Sequence, residues 1–107
     1  KGQEHKDVNL CMFDDSVVTL YHNGYLIMEK VQNYKDEYPV LYNTFEKENI
    51  VSAVGVAIYD DDNNILGVLI AEFVTDKSHI IEKISMRLKQ FAKSLSPILN
   101  YADYQNK

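Results

Sequence analysis

Asp60, Asp62 and Asn64 stand at the one-three-five spacing with which a calcium-binding loop begins, inside the run YDDDNNILG from Tyr59 to Gly67. Carboxylate and amide oxygens are the hard donors that calcium takes. Such a loop also needs glycine at its sixth position for a sharp turn, a bidentate glutamate at its twelfth, and a helix on either side. Here the sixth position is Ile65 and the twelfth is Ala71, and both flanks are apolar, strand-like runs. The segment therefore reads as a hairpin turn, since Asp and Asn tolerate the left-handed backbone that turns require. No metal is assigned to it.

The other residues with chemical potential do not assemble into a motif. His5, His22 and His79 have no paired ligand spacing. The single cysteine, Cys11, excludes an internal disulfide and a cysteine-rich zinc site, and in a strand-like context it reads as a buried thiol. Asp14, Asp15, Asp36 and Glu37 sit in turn-like segments and need no catalytic explanation. There is no glycine-rich phosphate loop and no serine nucleophile elbow. The chain thus reads as non-enzymatic, with no catalytic residue and no cofactor assigned. Tyrosine is the remaining candidate: there are eight, and Tyr21, Tyr25, Tyr34, Tyr38 and Tyr42 cluster in the middle third. An apolar body with a polar tip suits a pocket or an interface. Tyr21, Tyr25, Tyr34 and Tyr42 are the candidate ligand-binding residues, against the plainer reading of ordinary half-buried aromatics.

The chain that must position these residues has 107 residues and 46% apolar composition, enough for one core and too little for two. Its formal net charge of −5, without a cluster of lysines, argues against nucleic acid as a partner. No apolar run approaches the roughly 20 residues that cross a bilayer. Because it begins at Lys1, the chain is expected to be a fragment or processed product, cytoplasmic, with an upstream membrane anchor or helix left open.

The pattern DVNLCMF, Asp7 to Phe13, alternates as a strand does. Val17–Tyr21 and Tyr25–Val31 are rich in β-branched and aromatic residues and are broken by Asn23-Gly24, a hairpin signal. They read as two strands or as one strand with a bulge. Pro39 opens a short helix to about Lys47 that buries Val40, Leu41 and Phe45. Ile50–Tyr59 and Ile65–Val74 are apolar on both faces and form a central hairpin. The small residues Ala53, Gly55, Ala57 and Ala71 imply that a helix packs very close on one face. Thr75, Asp76 and Ser78 are N-cap candidates for that helix. It runs through Ile80, Ile84, Leu88, Phe91 and Leu95, which cover the sheet, while Pro97 kinks it or ends its first part near Lys93–Ser96. Ile81, Ala92, Leu99 and Ala102 widen the apolar stripe beyond what one sheet shelters. Ile81, Leu99 and Ala102 are therefore the candidate interface of a homodimer.

The segment ENIVSAVGVAIYDDDNNILGVLIAEFV with the helix behind it resembles the second half of a GAF domain. The matching residues are Ile50-Val51-Ser52, Ile65-Leu66-Gly67-Val68-Leu69 and the helix from about Ser78. The likeness covers about half the chain well and the N-terminal strand pair weakly. It implies a single α+β domain over residues 1–107, a central antiparallel sheet of 4–6 strands with the C-terminal helix on one face, and often a dimer. It also implies a sensory or regulatory role with a small-molecule ligand. The departures are a missing first helix, a short lid segment, and the absence of a cyclic-nucleotide motif or a chromophore cysteine. They keep a second expectation beside it: an interaction module that dimerises and holds no ligand.

Overall fold

A computed structural model describes residues 15–105, with side chains as far as Leu99. The elements are α1 (Asp15–Asn23), β1 (Tyr25–Met28), a 3-10 turn (Val31–Tyr34), α2 (Pro39–Lys47), β2 (Ser52–Tyr59), β3 (Ile65–Phe73), a second 3-10 turn (Ser78–Ile80) and α3 (Ile81–Gln105). The architecture is α+β, with an antiparallel sheet in the order β1-β2-β3. Among the described residues the sheet has three strands and not the 4–6 expected. The strand expected at Asp7–Phe13 lies outside the described residues.

Val17–Tyr21 is the first correction: it is helix, not strand. Its β-branched residues favour a strand locally, but Ser16 and Leu20, four apart, both line the inner side of a helix laid on the sheet, and packing overrides propensity. Asp15 supplies a carboxylate at the positive end of the helix. The Asn23-Gly24 signal marks the end of this helix and not a hairpin. Gly24 has φ +81°, its N–H donates to the Leu20 carbonyl at 2.8 Å, and its own carbonyl accepts from Ala57 N–H at 2.9 Å. One left-handed glycine thus closes α1 and starts the ladder between β1 and β2.

The helix Pro39–Lys47 forms as expected, with proline in its first turn. Leu41 and Phe45, four apart, turn inward, whereas Val40 is exposed. Both strands of the β2–β3 hairpin form. Asp60 accepts the N–H groups of Asp62 and Asn64 on one carboxylate oxygen, both at 2.8 Å, and Asn63 takes φ 66°. Only β2 is covered on both faces, however. Among the described residues β3 is an edge strand, and α1 and α2 shelter its Val68 and Ile70 only in part.

α3 packs on the face of β2 that carries Val54, Val56 and Ile58, through Ile81, Ile84, Leu88, Ala92, Leu95 and Leu99. Two expectations about this helix are corrected. Ile80 and Phe91, assigned to the sheet, are exposed, while Ile81 and Ala92, assigned to a surface stripe, are buried, Ile81 to 2%. Ile84, Leu88 and Leu95 pack on the sheet as expected, so the inward stripe is turned by roughly 40°, less than one residue step. The helix also does not stop near Lys93–Ser96. Leu95 and Leu99 pack on either side of Pro97, and the Ser96 hydroxyl donates to the Tyr59 carbonyl, so tertiary contacts outweigh the hydrogen bond that proline lacks.

Ser52, fully buried, joins the sheet to the start of α3. Its hydroxyl donates to the Glu29 carbonyl at 2.7 Å and accepts Lys77 N–H at 2.9 Å. Asp76 accepts the Ser78 N–H, 2.8 Å away, and the Ser78 hydroxyl, shaping the turn before the helix.

Candidate functional site

The sheet face opposite α3 is built from small residues. Alternation along β2 sends Ala53, Gly55 and Ala57 to that side, and register pairs Gly55 with Leu26 and Ile70. The close packing implied at Ala53, Gly55 and Ala57 therefore does not involve the C-terminal helix, whereas Ala71, opposite Val54, lies on the α3 face. α1 and α2 lie on the side of Gly55 instead, and they do not fill it. A cavity of about 160 Å³ remains, roofed by Ser16, Val17, Leu20, Leu41 and Phe45 and floored by Leu26, Met28, Ala53, Gly55, Val68 and Ile70. A Cβ built on Gly55 would meet Ile70 Cγ1, Leu20 Cδ1 and the Leu69 carbonyl oxygen, all at 3.9 Å, so one methyl fits there in ordinary contact beside the space.

Among the described residues the lining carries no carboxylate, amine or imidazole, and its one hydroxyl, on Ser16, is buried. What it offers is dispersion against apolar side chains. The space is not enclosed: it opens along β3, where Val68 is 37% and Ile70 56% exposed.

The candidate tyrosines do not converge on this space. Tyr21 is 54% exposed on α1. Tyr25 lies at the opposite end of the α3 interface, in an open cleft with Tyr59, Asn63 and Lys93, and the Lys89 ammonium sits 4.1 Å from its ring centroid. Tyr34 stacks on Tyr38 with parallel rings 5.7 Å apart and donates to Glu29 Oε1 at 2.7 Å. Partial burial first, then that carboxylate, hold its phenol above the usual tyrosine range. Tyr42 borders a separate groove with Gln32 and Glu46. Tyr38, buried, meets Thr19 of α1 through its hydroxyl, Oη to Oγ1 3.2 Å, and so ties α1 to the segment before α2.

Of the dimer candidates, Ile81 and Leu99 belong to the core between α3 and the sheet, and the side chain of Ala102 lies outside the described residues. His22 is at the last turn of α1 and His79 in the turn before α3, and Cys11 and His5 are outside the described residues. Among the described residues no three His, Cys, Asp or Glu side chains gather as a metal site, and no helix is long and apolar enough to cross a membrane.

The residues that line the cavity were missed by sequence reasoning, although their signal was present. Ala53, Gly55 and Ala57 alternate with the large residues Val54, Val56 and Ile58, and that asymmetry separates the two faces. No protein-family model, no curated protein and no solved structure matches the chain.

Proposed function

We propose that this chain is a non-enzymatic sensory or regulatory domain of GAF-like build, acting in the cytoplasm, whose ligand is a small apolar molecule held between α1, α2 and the sheet. The observation that carries this reading is the carbon-lined cavity of about 160 Å³ beside Gly55. An empty volume of this kind costs stability, since its lining lacks partner atoms. A molecule that fits it recovers those contacts and shifts the domain toward the form in which α1 is seated.

Two measurements test the proposal. Native mass spectrometry of the protein from its own host should detect a retained small molecule. Amide chemical shifts should move at Leu20, Phe45 and Gly55 when indole or benzene is titrated. Gly55→Val, which grows into the volume, should abolish the response while the protein stays folded. No shift at millimolar probe with the wild-type chain overturns the reading.

A second reading, an association module that forms a homodimer without a ligand, is favoured by one observation. α3 leaves Phe91 55% and Ile98 62% exposed, seven residues apart on one flank. A single-sided apolar flank of this size is what partner surfaces bury.

A further inference from the structure

The chain carries 16 acidic and 11 basic residues, yet residues 81–99 of α3 hold four bases, Lys83, Arg87, Lys89 and Lys93, against one acid, Glu82. Acids gather across the sheet. Asp15 opens α1, Asp36 and Glu37 precede α2, Glu46 and Glu48 stand at its end, and Glu72 is registered opposite Ala53 on that same face. Lys35 and Lys47 offset them only in part. The two layers thus carry opposite sign. Among the described residues the ion pair is Lys30 with Asp76, 3.8 Å apart, and no base of α3 is paired with a carboxylate.

Helical geometry orders the outer surface of α3. Lys89 marks its β1 side, since the ammonium sits 4.1 Å from the Tyr25 ring centroid. Lys93, one turn on, borders a cleft with Asp61. Phe91, two residues past Lys89, is turned about 160° from it, toward β3. Lys83 and Arg87 lie between these flanks, on the side away from the sheet. Met86, 59% exposed, stands on one side of them, and Phe91 and Ile98, 55% and 62% exposed, on the other. Cations and apolar side chains therefore alternate around a convex surface.

We infer that the outward face of α3 docks on an anionic lipid surface. An acidic protein is repelled by such a surface unless it turns its basic layer toward it. The four bases share one helix about 10 Å across, so all come within roughly one Debye length of a plane touching this face. A partner helix would bury a single apolar seam. Here apolar groups flank the cations on both sides, which suits a bilayer interface: the cations meet headgroups while Met86, Phe91 and Ile98 reach the acyl boundary. A nucleic-acid backbone would engage the cations and leave those three in water. The inference goes beyond the ligand and association readings and needs neither.

The full chain should cosediment with vesicles of mixed phosphatidylserine and phosphatidylcholine and not with phosphatidylcholine alone, and added salt should release it. Lys83→Gln and Arg87→Gln should each lower the partition constant about fivefold, the effect of one cation near an anionic leaflet. Phe91→Ser should lower it at least as much, with far-UV circular dichroism unchanged. Lys35→Gln, across the sheet, should leave it within about twofold, since its charge lies beyond the screening length. Equal binding to both kinds of vesicle, or equal losses from Lys35→Gln and Lys83→Gln, overturns the inference. So does a partition constant indifferent to Phe91→Ser, which would make the face a general anion surface. Binding of a DNA oligonucleotide or polyglutamate without binding of vesicles overturns it too. Sedimentation equilibrium tests the association reading separately: a dimer that ignores anionic vesicles overturns the lipid surface alone.

Discussion

Replacing Ser52 by alanine removes a hydroxyl that holds three chain segments together, and its cost follows from the contacts. Ser52 is 0% exposed. Its Oγ donates to the Glu29 carbonyl at 2.7 Å and accepts from Lys77 N–H at 2.9 Å. The two partners fare differently once it is gone. The Glu29 carbonyl has a second donor at hand, the Ser78 hydroxyl at 3.2 Å, although that proton is shared with Asp76. Lys77 N–H has no other acceptor in view. A net hydrogen bond contributes about 1 kcal/mol, and a buried donor left without a partner costs about 1–3 kcal/mol. Part of this is offset because alanine brings no hydroxyl to desolvate. The expected loss is about 2–3 kcal/mol. At about 4–8 °C per kcal/mol for a domain near this size, that is a drop of roughly 8–24 °C in Tm. The chain has no tryptophan, so urea unfolding is best followed by far-UV circular dichroism. The midpoint should fall with an unchanged m value. Hydrogen exchange should quicken first at the turn Ser78–Ile80 and the opening of α3. A loss below about 0.5 kcal/mol would refute the claim that Ser52 fastens α3 to the sheet, because the unpaired Lys77 N–H alone should cost about 1 kcal/mol or more.

The remaining expectations are shorter. Ile81→Ala should cost about 2–5 kcal/mol in urea unfolding, as truncation of a buried isoleucine does; a surface interface residue would leave stability within about 0.5 kcal/mol. Ser85 is buried with its hydroxyl unpaired, and Ser85→Ala should raise stability by about 1 kcal/mol, since it removes an unmet polar group and adds a better helix former. Asp60 is held below the usual carboxylate range, chiefly by the Asn64 backbone N–H, and Asp76 chiefly by the Ser78 hydroxyl. A depressed folded pKa means that the contribution is complete above the unfolded value of about 3.9 and is lost as pH falls through the folded one. The urea midpoint should therefore drop as the pH is taken below about 4, and Asp60→Asn should flatten that drop.

What could be read from the sequence was what a long apolar run decides. β2, β3, α2 and α3 each announce themselves through period and length, and each is found where the residues put it. What could not be read were choices between near-equal local alternatives. Val17, Val18 and Thr19 favour a strand, and only the sheet beneath them makes a helix the better burial. Asn23-Gly24 signals a left-handed residue, and hairpins and helix ends both use one. In α3, Ile80, Ile81 and Ile84 are each apolar, so the phase of the helix is free within one residue until Ser52 and the Ser78–Ile80 turn fix its start. A cavity is harder still, because no residue encodes missing volume. It arises where three elements fail to meet, and only the small side chains at Ala53, Gly55 and Ala57 hint at it.

The cavity and the bare edge share two residues, and this sets the last prediction. Val68 and Ile70 form part of the cavity floor and also turn their backbone groups to the outer edge of β3. Under the ligand and association readings proposed above, a molecule beside Gly55 and a partner copy on the β3 side would both press on Val68 and Ile70. Ligand and dimer are then coupled through one strand. Coupling is reciprocal: whatever factor the ligand imposes on the dimer constant, the dimer imposes on the ligand constant. A coupling of about 1–3 kcal/mol, the usual range, is a 5- to 150-fold effect. Sedimentation equilibrium with and without saturating indole should reveal a shift of that order, and Gly55→Val, which fills the space with the chain's own atoms, should move the dimer constant in the same direction without the probe. Equal dimer constants in all three cases would mean that β3 transmits nothing between its two sides, and cavity and edge would then be independent features of one strand.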